Sequence, residues 1–276
     1  MSSVRAELLI LTRKPSVWIL LGIGVVLNLF VSYIAPYVTY SGSANQGSDS
    51  ASLRPMLPEA VIGNVLEGFP FYVAMFGLIL GAITLGSEFT GGTLKTTLMQ
   101  HPSRVRLLVS KLIGIGLILL VFLAGIALSS VVFATIITVL EGVSPAWPAT
   151  RDLLLAFIAG WLILTTWAMF GSMLAVVTRG TSMAIGLGIL YGLVFEGLVS
   201  GFGADIGLLR DLSYGFLRAN GYSLIEPLGA TAPAGGEPGA FPGPFVSAWI
   251  AALVLSVYVL GFTTISAIVL RYREVA

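Results

Sequence analysis

Cysteine is absent from the 276-residue chain, which excludes a disulfide framework, thiolate metal sites and a cysteine nucleophile. Histidine occurs once, at His101, and one imidazole cannot supply the clustered ligands of a zinc or haem centre. Beside Pro102 it reads as a solvated loop residue. Charge is scarce as well. Only 10% of residues are Asp, Glu, Lys or Arg, against about 25% in an ordinary soluble domain. The net charge of +1 is not the basic field of a nucleic-acid binder, so no nucleic-acid partner is expected. No catalytic constellation is visible: two intramembrane aspartates are missing, and Ser172 has no histidine at its depth. No metal site is expected either.

What the chain has in excess is apolar sequence, 57% of its residues. A membrane-spanning helix needs about 20 mostly apolar residues to cross roughly 30 Å of hydrocarbon. Six segments meet or approach that length: 17–37, 69–85, 112–140, 153–177, 182–200 and 245–270. The second is short, and the third is long enough to tilt or project. The first follows Arg13 and Lys14, lacks a small-residue cleavage site and reads as an uncleaved anchor. The expected fold is therefore an all-α membrane protein, a single transmembrane domain over residues 1–276.

Basic residues accumulate in cytoplasmic loops, and alternation over six spans sorts them clearly. Ten lie on the side of the termini and four on the other, while acids run three against nine, with Glu196 left inside a span. Both termini are accordingly expected in the cytoplasm. A multi-pass protein of the cell (inner or plasma) membrane follows.

The outer loop from Thr39 to Gly68 opens with a Gly/Ser/Asn-rich stretch that suggests flexibility. The last outer loop, 201–244, divides in two. Its first half, with Ile206, Leu209, Leu212, Phe216 and Leu217, has the spacing of a short amphipathic helix on the outer surface. Its second half, 226–244, holds five prolines and five glycines and is expected to be irregular.

The loop between the second and third spans, Gly86 to Lys111, is polar, basic and punctuated. Leu94 and Leu98 stand four apart and Pro102 stops any continuation, so a short amphipathic helix is expected over 92–100 along the cytoplasmic face. Ser103 can cap the helix leading into the third span. From charge alone this could be an ordinary topology-setting loop. Its ordered residues, Glu88, Gly92, Thr93, Pro102, Arg104, Arg106 and Lys111, resemble those of the membrane subunits (permeases) of type-2 ABC transporters. There an acidic residue ends the second span and is followed by Gly-Thr, a short helix, a proline, arginines and a lysine opening the third. Six spans, cytoplasmic ends and a long last outer loop match as well. The segment from Arg5 to Pro15 is similar to the interfacial helix that precedes the first span in that family. Two departures, the spacing of Pro102 and Arg104 and the presence of Lys95 where a glutamate is common, place the resemblance nearer drug-, bacteriocin- and ion-related permeases than polysaccharide exporters.

The resemblance implies that 92–100 is a coupling helix docking into an ATP-binding subunit, with Glu88, Gly92, Thr93, Leu94, Leu98, Pro102 and Arg104 as its docking and coupling residues. It implies two copies of that subunit and a second permease copy, most simply a homodimer. It also implies export of a hydrophobic or amphipathic substrate, whether drug, peptide or lipid-like. ATP and magnesium would belong to the partner subunit, and no cofactor is expected here. Gly86 and Gly91 have P-loop spacing, but Gly92 stands where the phosphate-binding lysine is needed and the segment leaves a membrane helix, not a strand. No ATPase activity is therefore expected of this chain. Two other classes fit six spans: an ATP-independent secondary transporter, which needs intramembrane charge and inverted repeats, and a non-transporting scaffold or sensor.

Within the spans, Glu196 is the sole charged residue by these boundaries. A midspan carboxylate costs roughly 2.5–3.5 kcal/mol on insertion scales, so it needs a partner. Gly188, Gly192 and Glu196 fall on one helical stripe, and the two glycines permit close helix packing. Glu196, with Asn28, is a candidate translocation-path residue, or else a hydrogen-bonded interfacial carboxyl. Asn28, Thr165, Thr166, Ser172, Thr263, Thr264 and Ser266 are read as interhelical hydrogen-bond formers. Trp18, Trp161, Trp167 and Trp249 are read as including interfacial anchors.

Overall fold

The computed structural model describes residues 2–43, 52–90, 104–203, 206–230 and 246–272, and among these it holds no strand. A bilayer core offers backbone groups no water, so a lipid-crossing chain satisfies them within helices. Six helices are long and apolar enough to cross: Pro15–Gly42, Pro58–Phe89, Val105–Leu140, Thr150–Thr178, Thr181–Val199 and Ala248–Tyr272. They are called the first to sixth spans below. An N-terminal helix, Ser2–Arg13, precedes them. Lys14 is extended and Pro15 opens the first span, a position where a proline's missing N–H costs nothing.

The expected short second span is corrected. The chain is already helical from Val61, and the same run passes through a π-helical turn, Phe69–Val73, into Ala74–Thr90. Pro58, Pro70 and the charges Glu59 and Glu67 dilute the apolar signal ahead of Phe69. The wide turn accommodates Pro70, which has no N–H to give an α-helical ladder. The third helix is 37 residues long, Arg104–Leu140, or about 55 Å at the α-helical rise. It therefore extends beyond the hydrocarbon, as its sequence suggested.

The second span is the hub of the bundle. In its most apolar stretch 72% of residues are buried, against 17% in the sixth span and 22% in the fifth. Its glycines explain how it packs against the fourth span. A β-carbon placed on Gly77 would lie 2.9 Å from the carbonyl oxygen of Leu164, one on Gly81 would collide with that of Ala168, and one on Gly171 with that of Leu78. These two backbones are in direct contact, the arrangement small residues allow in membranes. Trp167, expected among interfacial candidates, is instead fully buried at this crossing, edge-on to Phe170. Gly188 and Gly192 bring the fifth span onto the same hub, against Leu78 and against Met75 and Trp167.

The two ends of the bundle are tied differently. At one end the N-terminal helix lies on the start of the third span, with Leu11 and Glu7 buried. At the other, Tyr37 and Tyr40 of the first span donate to the two carboxylate oxygens of Glu141, just beyond the third, at 3.0 and 3.3 Å. The segment between the first two spans does not simply hang outside. Its described part forms a 3-10 turn at Arg54–Met56, with Met56 completely buried, and a second 3-10 turn at Pro58–Ala60 opens the second span.

Candidate functional site

Residues 91–103, which include Gly92, Thr93, Leu94, Leu98, His101 and Pro102, lie outside the described residues. Arg104 begins the third helix. Both flanks of the segment are described, and they converge. Glu88, in the last turn of the second span, and Lys111, two turns into the third helix, meet across the gap with Lys111 Nζ 2.6 Å from Glu88 Oε1. The same ammonium donates to both oxygens of Glu7 on the N-terminal helix, at 3.0 and 2.9 Å. One lysine thus holds carboxylates from two different elements, and its side chain is only 4% exposed. The other oxygen of Glu88 is buried with no hydrogen-bond partner among the described residues. A second contact reinforces the junction: Lys14 Nζ donates to Ser87 Oγ at 3.3 Å. On the opposite flank, a β-carbon on Gly86 would meet the backbone of Thr181. The turn between the fourth and fifth spans is therefore seated against the end of the second.

Sequence reasoning named Glu88 and Lys111 but did not join them, and it counted Glu7 only as a charge on the same side. The long apolar helices of the second and third spans run past the sequence boundaries and include Glu88 and Lys111. An ammonium buried among carboxylates attracts strongly at low dielectric, but desolvation offsets much of that gain. The cluster's firm consequence is geometric. Lys111 ties the end of the second span and the N-terminal helix to the start of the third helix.

The second site lies at the other end of the bundle. Glu196 stands where a second π-helical turn, Leu190–Phe195, returns to α-helix. It is completely buried. Its two oxygens accept the backbone N–H groups of Leu217 and Arg218 at 2.8 and 2.9 Å. Those are the first two residues of a helix, Leu217–Ile225, whose orphan N–H groups need acceptors and whose dipole favours an anion at that end. The fifth span thus caps a helix that follows it in sequence. Arg218 is buried too; its guanidinium donates to Gly192 O at 3.3 Å and lies 4.9 Å from the centre of the Phe71 ring, a cation–π arrangement.

The outer-loop reading is partly corrected here. A short helix does occupy Gly207–Ser213. The chain then turns inward: Arg218, Asn220, Tyr222 and Ser223 are buried, although the sequence is polar. A β-carbon on Gly221 would press on Pro70, so this helix rests on the π turn of the second span. Tyr258 of the sixth span donates to Gly215 O at 2.7 Å and fixes the preceding turn. Of the part expected to be irregular, 226–244, Glu226–Leu228 forms a 3-10 turn, and residues 231–244 lie outside the described residues.

Asn28 belongs to a neighbouring polar set between the first two spans. It is completely buried, donates to Asn64 O at 3.3 Å and accepts from the Tyr72 hydroxyl at 3.2 Å. Ser32 donates to the same carbonyl at 3.2 Å, and Asn64 donates to Pro55 O at 2.7 Å. These bonds are interhelical. A third π turn, Phe30–Ile34, adjoins them. Among the described residues no group of acids and histidines could hold a metal ion.

The sequence matches the family described as ABC-2 family transporter protein over residues 1–275. It is also 24% identical over 171 residues to the probable ABC transporter permease protein NosY of Stutzerimonas stutzeri. That match covers 62% of this chain and 60% of the relative's length. Six apolar helices, a buried acid–lysine junction flanking the loop between the second and third, and a family match across the chain agree: this protein belongs to the ABC-2 family of transporter proteins, as a multi-pass membrane subunit of the cell membrane.

Proposed function

We propose that this chain is the permease of an ABC exporter that moves a hydrophobic or amphipathic substrate and draws its energy from a separate ATP-binding subunit. In this reading the end bearing Lys111 is cytoplasmic, and residues 92–100 form the helix that docks into the partner. Leu94 and Leu98 supply its apolar contact, Gly92 and Thr93 its entry, and Pro102 and Arg104 its exit into the third span. Two permease copies and two ATP-binding subunits make the working unit, with ATP and magnesium held by the partner.

The observation that carries this reading is the Glu7–Lys111–Glu88 junction. A loop that only set topology would need basic residues in water, not a lysine buried between two carboxylates. Bracing the base of the loop to the N-terminal helix gives a rigid lever, so force applied at 92–100 reaches the first and third spans together. Glu196 and Asn28, candidates for the path, have their polar atoms engaged in packing contacts. That supports a role in holding the outer helix and the first two spans in place, with the substrate contacting mainly apolar surface.

Co-purification tests the proposal. The solubilised protein is expected to retain a Walker-type ATPase, and replacing Leu94 and Leu98 together with aspartate is expected to release it while the permease stays folded. Retention of the ATPase and of ATP-dependent transport in that variant would overturn the coupling role.

A further inference from the structure

A cleft of about 490 Å³ opens between the third, fourth and sixth spans. Its walls include Ile113, Leu117 and Leu120 of the third span, Trp161 and Met169 of the fourth and Val259 of the sixth. The Trp161 indole N–H donates to Gly116 O at 2.9 Å, which ties this ring of the fourth span to the third at the cleft wall. Gly116 lets the ring approach closely, since a β-carbon there would stand in van der Waals contact with it at 3.7 Å.

We propose that this cleft is a binding site for a phospholipid of the surrounding bilayer, holding one acyl chain in the cleft with the phosphate against Arg106. Three observations select that occupant. Among the described residues the lining contains none that is charged, as an alkyl chain requires. Its run along the third span, from Val109 to Leu120, measures about 17 Å at the helical rise, close to half of a roughly 30 Å hydrocarbon core and so one leaflet deep. Arg106 lies on the same helical stripe as Val109, Ile113, Leu117 and Leu120, one turn before the cleft begins, and it is exposed. An apolar slot one leaflet deep with a guanidinium at its mouth matches a lipid tail joined to a phosphate, the group a planar guanidinium binds best. Lys111 is on another face, committed to Glu7 and Glu88, and does not compete for the headgroup. The proposal does not depend on the export reading, because none of the residues of the Lys111 junction or the Glu196 anchor lines the cleft.

The test uses the full-length protein in nanodiscs containing phosphatidylglycerol with a diazirine in its acyl chain. After photolysis, label is expected to concentrate on peptides carrying Ile113, Leu117 and Met169, at least fivefold above peptides carrying exposed Ile19, Leu128 or Leu154. Gly116→Leu, which fills the cleft, and Ile113→Trp, which narrows it from the exposed side, are each expected to remove that enrichment. Arg106→Gln is expected to abolish the preference for phosphatidylglycerol over phosphatidylcholine. Label distributed in proportion to exposure would mean bulk bilayer contact only and overturns the proposal. So does enrichment untouched by both cleft variants, or exclusion of label from the whole third-span face, as a docked helix of a second copy would produce.

Discussion

Removing the carboxylate of Glu196 should release the buried helix Leu217–Ile225 from the bundle. The carboxylate accepts two backbone N–H groups at 2.8 and 2.9 Å with no water to replace it. Hydrogen bonds to a charged group contribute about 1.5–3 kcal/mol each, so Glu196→Ala forfeits about 3–6 kcal/mol of local stability. Glu196→Gln keeps one acceptor oxygen and turns an amide donor toward the other N–H, so about half of that loss is expected. At about 1.4 kcal/mol per factor of ten, the alanine variant raises the local opening equilibrium at least a hundredfold. The natural absence of cysteine makes the assay clean. Ser223 is buried in this helix, and Ser223→Cys changes one atom. In that background the thiol should resist a membrane-impermeant maleimide, while adding Glu196→Ala should speed labelling at least a hundredfold and Glu196→Gln about tenfold. Equal labelling rates with and without Glu196 would refute the anchoring argument. Transport lost at normal labelling rates in Glu196→Gln would instead support a place on the path.

Lys111→Met leaves Glu7 and Glu88 buried without their counter-charge and should cost about 3–5 kcal/mol; adding Glu7→Gln and Glu88→Gln should recover most of it, as measured by the thermal unfolding midpoint in detergent. Gly81→Leu should abolish a monodisperse folded species on size-exclusion chromatography because Ala168 O occupies the space, whereas Gly22→Leu, with nothing within 4 Å, should behave like the parent. Tyr72→Phe removes one partly buried hydrogen bond to Asn28 and should destabilise by about 1 kcal/mol in the same unfolding assay.

Legibility in the sequence followed hydropathy closely. The six spans are legible because each carries a long apolar run, and the close crossing of the fifth span was foreshadowed by Gly188 and Gly192. The start of the second span was not, because Pro58, Glu59, Glu67 and Pro70 lower its apolar average although tertiary packing and a π turn accommodate them. The buried helix at Leu217 was missed for a related reason. Its Arg218, Asn220 and Ser223 look like loop residues, and only their tertiary partners, Gly192 O, Tyr214 O and the N–H of Val246, make burial tolerable. One signal did point there: a lone carboxylate at Glu196 requires a donor set, and a helix N-terminus nearby in sequence is a natural supplier. Likewise Glu7 was counted only among the acids on the side of the termini, and Glu88 and Lys111 were read as motif residues of one loop without being joined. Their convergence depends on the angle at which the N-terminal helix meets the third span, which no periodicity encodes.

If, as proposed above, energy enters this protein through the segment between Glu88 and Lys111, that segment must touch the ATP-binding subunit. A single cysteine at Leu98 in the otherwise cysteine-free chain, with cross-linking to a co-expressed ATP-binding subunit, tests it most directly. A cross-link at Leu98, lost when Leu94 is replaced by aspartate and absent from a control cysteine at Val139, is the result the account predicts. Cross-linking at Val139 but not at Leu98 would contradict it.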